Sequence, residues 1–261
     1  MALAQPSGGL EELVDVNSGR ELVATPVLVD KYADLKKKYE LFLGLGGFVE
    51  GKWEKNRVQT VLLPSHINVF LQQTREYENH KNYGWNTGHF ISQLIQNSYN
   101  TGNNDFELDV NLLKPIDYLA SNISGTKERM VRIIVKGDVG NLCGYNVQYS
   151  TFTIKKAGEG CGLGTQHSTF TIGEAGNNCG GGVQYSTFTI EKAGNNCGVV
   201  AEHSTFTIEE AGDYFGRFTK HSTFQTHSSQ QYKQLKKSVP RFKNNKVYHI
   251  QPDGTLKKRW F

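Results

Sequence analysis

The second half of the chain alternates apolar and polar positions with a period of two. In Tyr149-Ser150-Thr151-Phe152-Thr153-Ile154 this predicts a strand with Phe152 and Ile154 on one face and Tyr149, Thr151 and Thr153 on the other. The pattern returns every 18 residues, Ser150, Ser168, Ser186, Ser204 and Ser222 each opening the word Ser-Thr-Phe. A unit of that length cannot bury its apolar face alone, so the repeats predict a β-solenoid with an inward Phe/Ile column and an outward Thr column. Between strands, glycines recur at Gly140–Gly144, Gly158–Gly162, Gly176–Gly180, Gly194–Gly198 and, with changed interior, Gly212–Gly216. These read as corner residues, and the adjoining Asn177-Asn178 and Asn195-Asn196 tolerate left-handed backbone. Neither the dinucleotide fingerprint nor the P-loop spacing is present.

Residues 1–129 carry a mixed pattern and read as an α+β N-terminal region. Glu21–Val29 is expected as a strand interrupted by Pro26, followed by a helix from Asp30 to Phe42 with Tyr32, Leu35, Tyr39 and Phe42 on one face. Arg57–Leu63 and Ile67–Leu71 are expected as strands around Pro64, and Asn86-Thr87 opens a second helix that Gly102 stops. Phe106, Leu108 and Val110 alternate as a strand, and Met130–Val135 reads as the first strand of a solenoid spanning 130–226. An open solenoid exposes unpaired edges, so both ends need covers. The N-terminal region is expected to cover one end. A cap over 227–261 covers the other, built from a short helix near Gln230–Lys237 and a hairpin turned by Asp253-Gly254 between Lys246–Ile250 and Thr255–Phe261.

Charge sharpens this division. The chain is only +4 overall, but Gln231–Phe261 holds nine Lys/Arg against the single acid Asp253. A mildly acidic body thus ends in a basic segment, which reads as a solubilising end cap or as a polyanion-binding tail. The opening residues lack a basic stretch followed by an apolar core, and no run is long enough to span a bilayer. The cytoplasm is the expected compartment, with no membrane partner.

Further along the repeats, Ile134-Val135-Lys136-Gly137-Asp138-Val139-Gly140 precedes Cys143-Gly144, then Ala157-Gly158 precedes Cys161-Gly162 and Ala175-Gly176 precedes Cys179-Gly180. This spacing resembles the GXGXG repeat of the glutamate synthase C-terminal domain and of the formylmethanofuran dehydrogenase C subunit. The resemblance covers about Val131–Thr226 and implies a right-handed parallel β-helix that organises subunits, with no catalytic residue to carry over. The ending, Ser238-Val239-Pro240 through Gly254-Thr255, is similar to the close of small archaeal repeat proteins.

Candidate chemistry is sparse. Cys143, Cys161, Cys179 and Cys197 share one repeat position, so they form a column with neighbours about 4.8 Å apart, which cannot surround one tetrahedral metal. They read as small, buried, inert fillers, and Phe215 in the fifth unit agrees. No metal, cofactor or catalytic residue is expected. Tyr149, His167, Tyr185, His203 and His221 form an outward column of rings, which either stack on one another or offer a platform for bases or sugars. With Lys236, Lys237, Arg241, Lys257, Lys258 and Arg259 they are the candidate binding residues. The expected function is a non-catalytic scaffold or interaction module with a protein partner. The alternatives are a nucleic-acid or polyanion binder and an accessory subunit of an enzyme complex.

Overall fold

The computed structural model describes residues 13–15, 20–22, 26–45, 57–239 and 243–257, with side chains from residue 32 onward. Two short strands, β1 (Leu13–Asp15) and β2 (Arg20–Leu22), pair antiparallel. Among the described residues three helices follow, α1 (Pro26–Gly44), α2 (Pro64–Gln73) and α3 (Tyr83–Asn100), with a 3-10 turn over Thr74–Tyr77. The expected strand over Glu21–Val29 is replaced by β2 and the start of α1. Proline's fixed φ suits a first helical turn, so Pro26 opens a helix where the sequence reading saw an interrupted strand. The strand expected over Ile67–Leu71 is likewise helical: Pro64 sits in the first turn of α2, and Ile67, Phe70 and Leu71 recur at helical spacing as its buried residues. Arg57–Leu63 forms no strand. It is held by α3, where Gln93 Oε1 accepts from Val58 N at 2.8 Å and Asn97 Nδ2 donates to Val58 O at 2.7 Å.

The helices close on an aromatic cluster in which the Tyr39 ring stands edge-on to Phe70, Tyr77 and Phe90, with centroids 5.7, 5.3 and 5.1 Å away. Asn86 reaches from the first turn of α3 to donate to Phe42 O and Leu45 O at 2.8 and 3.0 Å, tying the end of α1 to α3.

The rest of the described chain is a parallel β-solenoid of about five turns. Strands β3 (Asp105–Asp109), β4 (Val131–Val139), β5 (Ser150–Ala157), β6 (Thr169–Ala175), β7 (Thr187–Ala193), β8 (Thr205–Ala211), β9 (Thr223–Thr226) and β10 (Lys246–Ile250) stack in chain order. The short β11 (Leu256–Lys257) pairs antiparallel on β10. The sheet therefore extends past residues 130–226 at both ends. Register is strict through the repeats: Phe152, Phe170, Phe188, Phe206 and Phe224 are successive partners. Their rings are stacked at 4.6 to 5.4 Å, with interplanar angles of 0 to 14°. Adjacent strands ordinarily rotate by about 20–25°; here columns of like side chains hold successive rungs close to a pure translation.

Two polar ladders lock that translation. Each repeat serine is buried. Ser168 Oγ donates to Gln166 O at 2.8 Å and accepts the N–H of Ser150 from the rung before at 3.1 Å; the same inter-rung bond joins Ser168 to Ser186, Ser186 to Ser204 and Ser204 to Ser222. At a corner, Asp117 Oδ1 accepts from Asn141 N, Asn141 Oδ1 from Glu159 N, Asn177 Oδ1 from Asn195 N and Asn195 Oδ1 from Asp213 N, at 2.6 to 2.8 Å.

Both ends are covered by side chains that imitate a missing rung. On the first strand, Asn68 Oδ1 of α2 accepts from Asp109 N at 2.8 Å and Gln72 Nε2 donates to Asp109 O. Gly88, Ser92 and Gln96 lie one turn apart on α3. A Cβ at Gly88 would fall 1.8 Å from Asp117 O, while Ser92 Oγ and Gln96 Oε1 accept from Ser121 N and Ser124 N at 3.0 and 2.8 Å. At the far end, α4 (Ser229–Ser238) is capped by Ser228 and buries Tyr232 and Leu235. Ser238 Oγ donates to Phe215 O at 2.8 Å. Asn245 takes the place of a sixth repeat serine, accepting from Ser222 N and donating to Thr219 O, both at 2.9 Å. One hydrophobic core runs from Tyr32 to Val239.

Replacing Ser186 by Ala leaves the buried Ser168 N–H without its acceptor and is expected to cost about 1–3 kcal/mol in urea unfolding. Thr189→Ala on the outward face is expected to stay within about 0.5 kcal/mol. Equal losses at the two sites would remove the serine ladder from the account. Deleting Val239–Phe261 removes Asn245 and β10, and should lower the melting temperature; an unchanged value would count against a cap.

Candidate functional site

The five candidate rings are brought together as one outward column. Tyr149, His167, Tyr185, His203 and His221 all hold left-handed backbone, with φ between 48° and 51°. Their rings stack at 4.7 to 5.0 Å with interplanar angles of 4 to 6°. Face-to-face stacking takes up the π-faces inside the column, so only ring edges point outward. A base-stacking platform needs open faces, and the column's interior has none to offer.

The basic candidates lie elsewhere. Lys236 and Lys237 end α4, with Lys236 Nζ 5.5 Å from the Tyr232 ring centroid, and Lys257 is exposed on β11. Arg241, Lys258 and Arg259 lie outside the described residues.

A third surface was passed over in the sequence. In each rung, three corner positions also hold left-handed backbone: Gly144, Gly162, Gly180, Gly198 and Gly216 form one column, Leu142, Gly160, Asn178, Asn196 and Tyr214 a second, and Asn146, Gly164, Gly182, Val200 and Phe218 a third. Glycine and asparagine occupy such positions at little cost, whereas other L-residues lose roughly 1–2 kcal/mol there and β-branched ones are outliers. The last two rungs nevertheless carry Val200, Tyr214 and Phe218, with φ of 59°, 62° and 61°. These side chains do not turn inward; they are 53, 56 and 56 % exposed. Between the two aromatics, the Arg217 guanidinium lies over both rings, with Cζ 5.3 Å from the Tyr214 centroid and 4.7 Å from that of Phe218. The signal was legible as the changed interior of the fifth unit, where Asp213-Tyr214-Phe215-Gly216-Arg217-Phe218 replaces Asn177-Asn178-Cys179-Gly180-Gly181-Gly182 of the third.

Where α3 meets the first corner of the coil there is a cleft of about 250 Å³, lined by His89, Gln93, Asn97 and Ser121 among others. Much of its polar wall is committed to the fold, Ser92 and Gln96 binding the 121–124 loop and Gln93 and Asn97 binding Val58. His89 stacks on Tyr118 at 4.7 Å, and burial pushes its pKa down to about 4 from 6.5. The four cysteines are free and buried. Contact with the Cys161 thiol, reinforced by burial, pushes the pKa of Cys143 up, and contact with Cys161 and Cys197 together with burial does the same for Cys179, while contact with Cys143 and Cys179 pulls Cys161 down. Among the described residues no group of three or more His, Cys, Asp or Glu side chains is arranged to hold a metal ion, and no helix is long and apolar enough to cross a membrane.

No family model, no curated protein and no solved structure matches the chain.

His89 sets a pH dependence whose sign follows from its depressed folded pKa. Between pH 6.5 and about 4 the unfolded chain takes up a proton that the folded chain refuses, so stability is full above pH 6.5 and declines as pH falls through that window. The loss approaches roughly 3 kcal/mol. His89→Gln should flatten this part of the stability profile measured by denaturant unfolding; an unchanged slope would assign the acid sensitivity to other groups.

Proposed function

We propose that this protein is a non-catalytic interaction module, a stiff β-solenoid covered at both ends that presents the corner at Val200, Tyr214, Arg217 and Phe218 to a protein partner. The observation that carries the reading is the exposure of Tyr214 and Phe218 on left-handed backbone. Strain held where it does not serve packing points to use at the surface. Tyrosine and arginine are also the residue types that dominate binding energy at protein interfaces, and phenylalanine is enriched there. The cytoplasm remains the compartment we favour for it.

The glycine spacing of the repeats, similar to the GXGXG β-helix, supports a narrower form of this role as an accessory subunit of an enzyme complex. The likeness of the chain's ending to archaeal repeat proteins belongs to the same reading. A second reading, binding of nucleic acid or another polyanion, is supported by the exposed Lys233, Lys237, Lys246 and Lys257 on the C-terminal cap. Such binding weakens steeply with salt.

The test compares affinity purification of the full chain from its native cells with that of the triple variant Tyr214→Asn, Arg217→Gly, Phe218→Gly, which restores the residues of the third rung. The variant is expected to keep or raise its melting temperature while losing a stoichiometric partner that the unmodified protein retains. A partner held equally by both proteins would sink the corner as the site. Nucleic acid released from both at high salt would move the function to the basic cap.

A further inference from the structure

Resting on that reading, we infer that the corner receives an acidic segment of the partner, with a carboxylate accepted by Arg217 and a neighbouring apolar side chain laid against Tyr214, Phe218 and Val200. The argument starts from charge. Along the repeats, several exposed charges are matched from rung to rung: Lys156 with Glu174 at 3.6 Å, Lys192 with Glu210 at 3.9 Å and Lys220 with Glu202 at 2.9 Å. Arg217 has no such match. Its guanidinium meets no carboxylate among the described residues and lies over two aromatic rings.

A guanidinium held in this way is a pre-oriented planar donor. The rings hold the cation by its charge, while its N–H groups radiate in the guanidinium plane, in the fork that matches a carboxylate with two parallel hydrogen bonds. Immobilising the side chain before binding removes part of the entropy cost that a free arginine incurs. The rings that hold it also present an exposed apolar surface immediately beside the charge, continued onto Val200 in the rung before. The ligand that satisfies both features has a single carboxylate next to an aliphatic or aromatic group. A polyphosphate backbone fits less well, because the exposed Asp213 at the same turn repels dense negative charge. A second copy of the chain would bring an identical arginine to the same patch.

Panning a random-peptide phage library against the full chain, the Tyr214→Asn, Arg217→Gly, Phe218→Gly variant and Arg217→Lys tests the assignment. The unmodified protein is expected to enrich sequences with Asp or Glu beside a large apolar residue. That enrichment should be lost on the triple variant and fall at least about tenfold on Arg217→Lys, which keeps the charge without the fork. Enriched peptides that depend on the corner but carry no acidic bias would overturn the acidic partner and leave the interaction surface standing. Peptides enriched equally on the triple variant would overturn the surface itself. No enrichment, with concentration-dependent dimerisation in sedimentation that the triple variant abolishes, would replace the peptide by a second copy of the chain.

Discussion

Each rung of this solenoid is a translated copy of the one before, and the molecule depends on keeping that translation free of slip. An inserted residue within a strand would send Phe and Ile outward and Thr inward for the rest of that strand. The hydrophobic effect drives stacking and opposes a one-residue slip, but it does not by itself fix register, because a two-residue slip keeps the same face inward. The serine ladder makes the choice. Its buried hydroxyl bonds its own rung and accepts an N–H from the previous one, so a displaced rung strands buried polar groups at both places. The corner ladder of Asp117, Asn141, Asn177 and Asn195 repeats the logic with amide and carboxylate oxygens.

A translational stack has no natural end, and the two ends here are finished by the same means with different elements. Helices cover the first strand and first corner with Asn68, Gln72, Ser92 and Gln96, each bonding backbone that another rung would have bonded. Gly88 permits the approach, since any side chain there would collide with the carbonyl of Asp117. At the other end α4 buries Leu235, and Asn245 stands in for the next serine. Phe215, edge-on to Phe206 and Phe224, fills the space left as the cysteine column stops.

Against so regular a body, departures from the repeat carry the information about use. Of the two readings the ring column allowed, its geometry is that of rings stacked on one another. The corner at Tyr214 and Phe218 looked like an imperfect fifth copy and is instead the place where costly backbone, exposed apolar surface and an arginine without a carboxylate coincide. The corner sits on regular, hydrogen-bonded rungs, which suits the proposed recognition by a pre-oriented guanidinium.

The sequence by itself determined the parts of this protein that are local and periodic. Alternation in Ser-Thr-Phe-Thr-Ile assigns faces, the 18-residue repeat assigns stacking, and glycine and asparagine assign corners, because each follows from bond geometry within one unit. The short C-terminal helix and the turn at Asp253-Gly254 were legible for the same reason, and Gly254 does hold φ of 79°. Only the tertiary structure decided the rest, because lateral partners leave no local trace. Ile67–Leu71 became helix when Pro64 opened α2 and its buried face met the core and strand β3. Arg57–Leu63 lost its strand to the side chains of Gln93 and Asn97. The ring faces of Tyr149, His167, Tyr185, His203 and His221 were taken up by one another only once successive rungs had been laid in register.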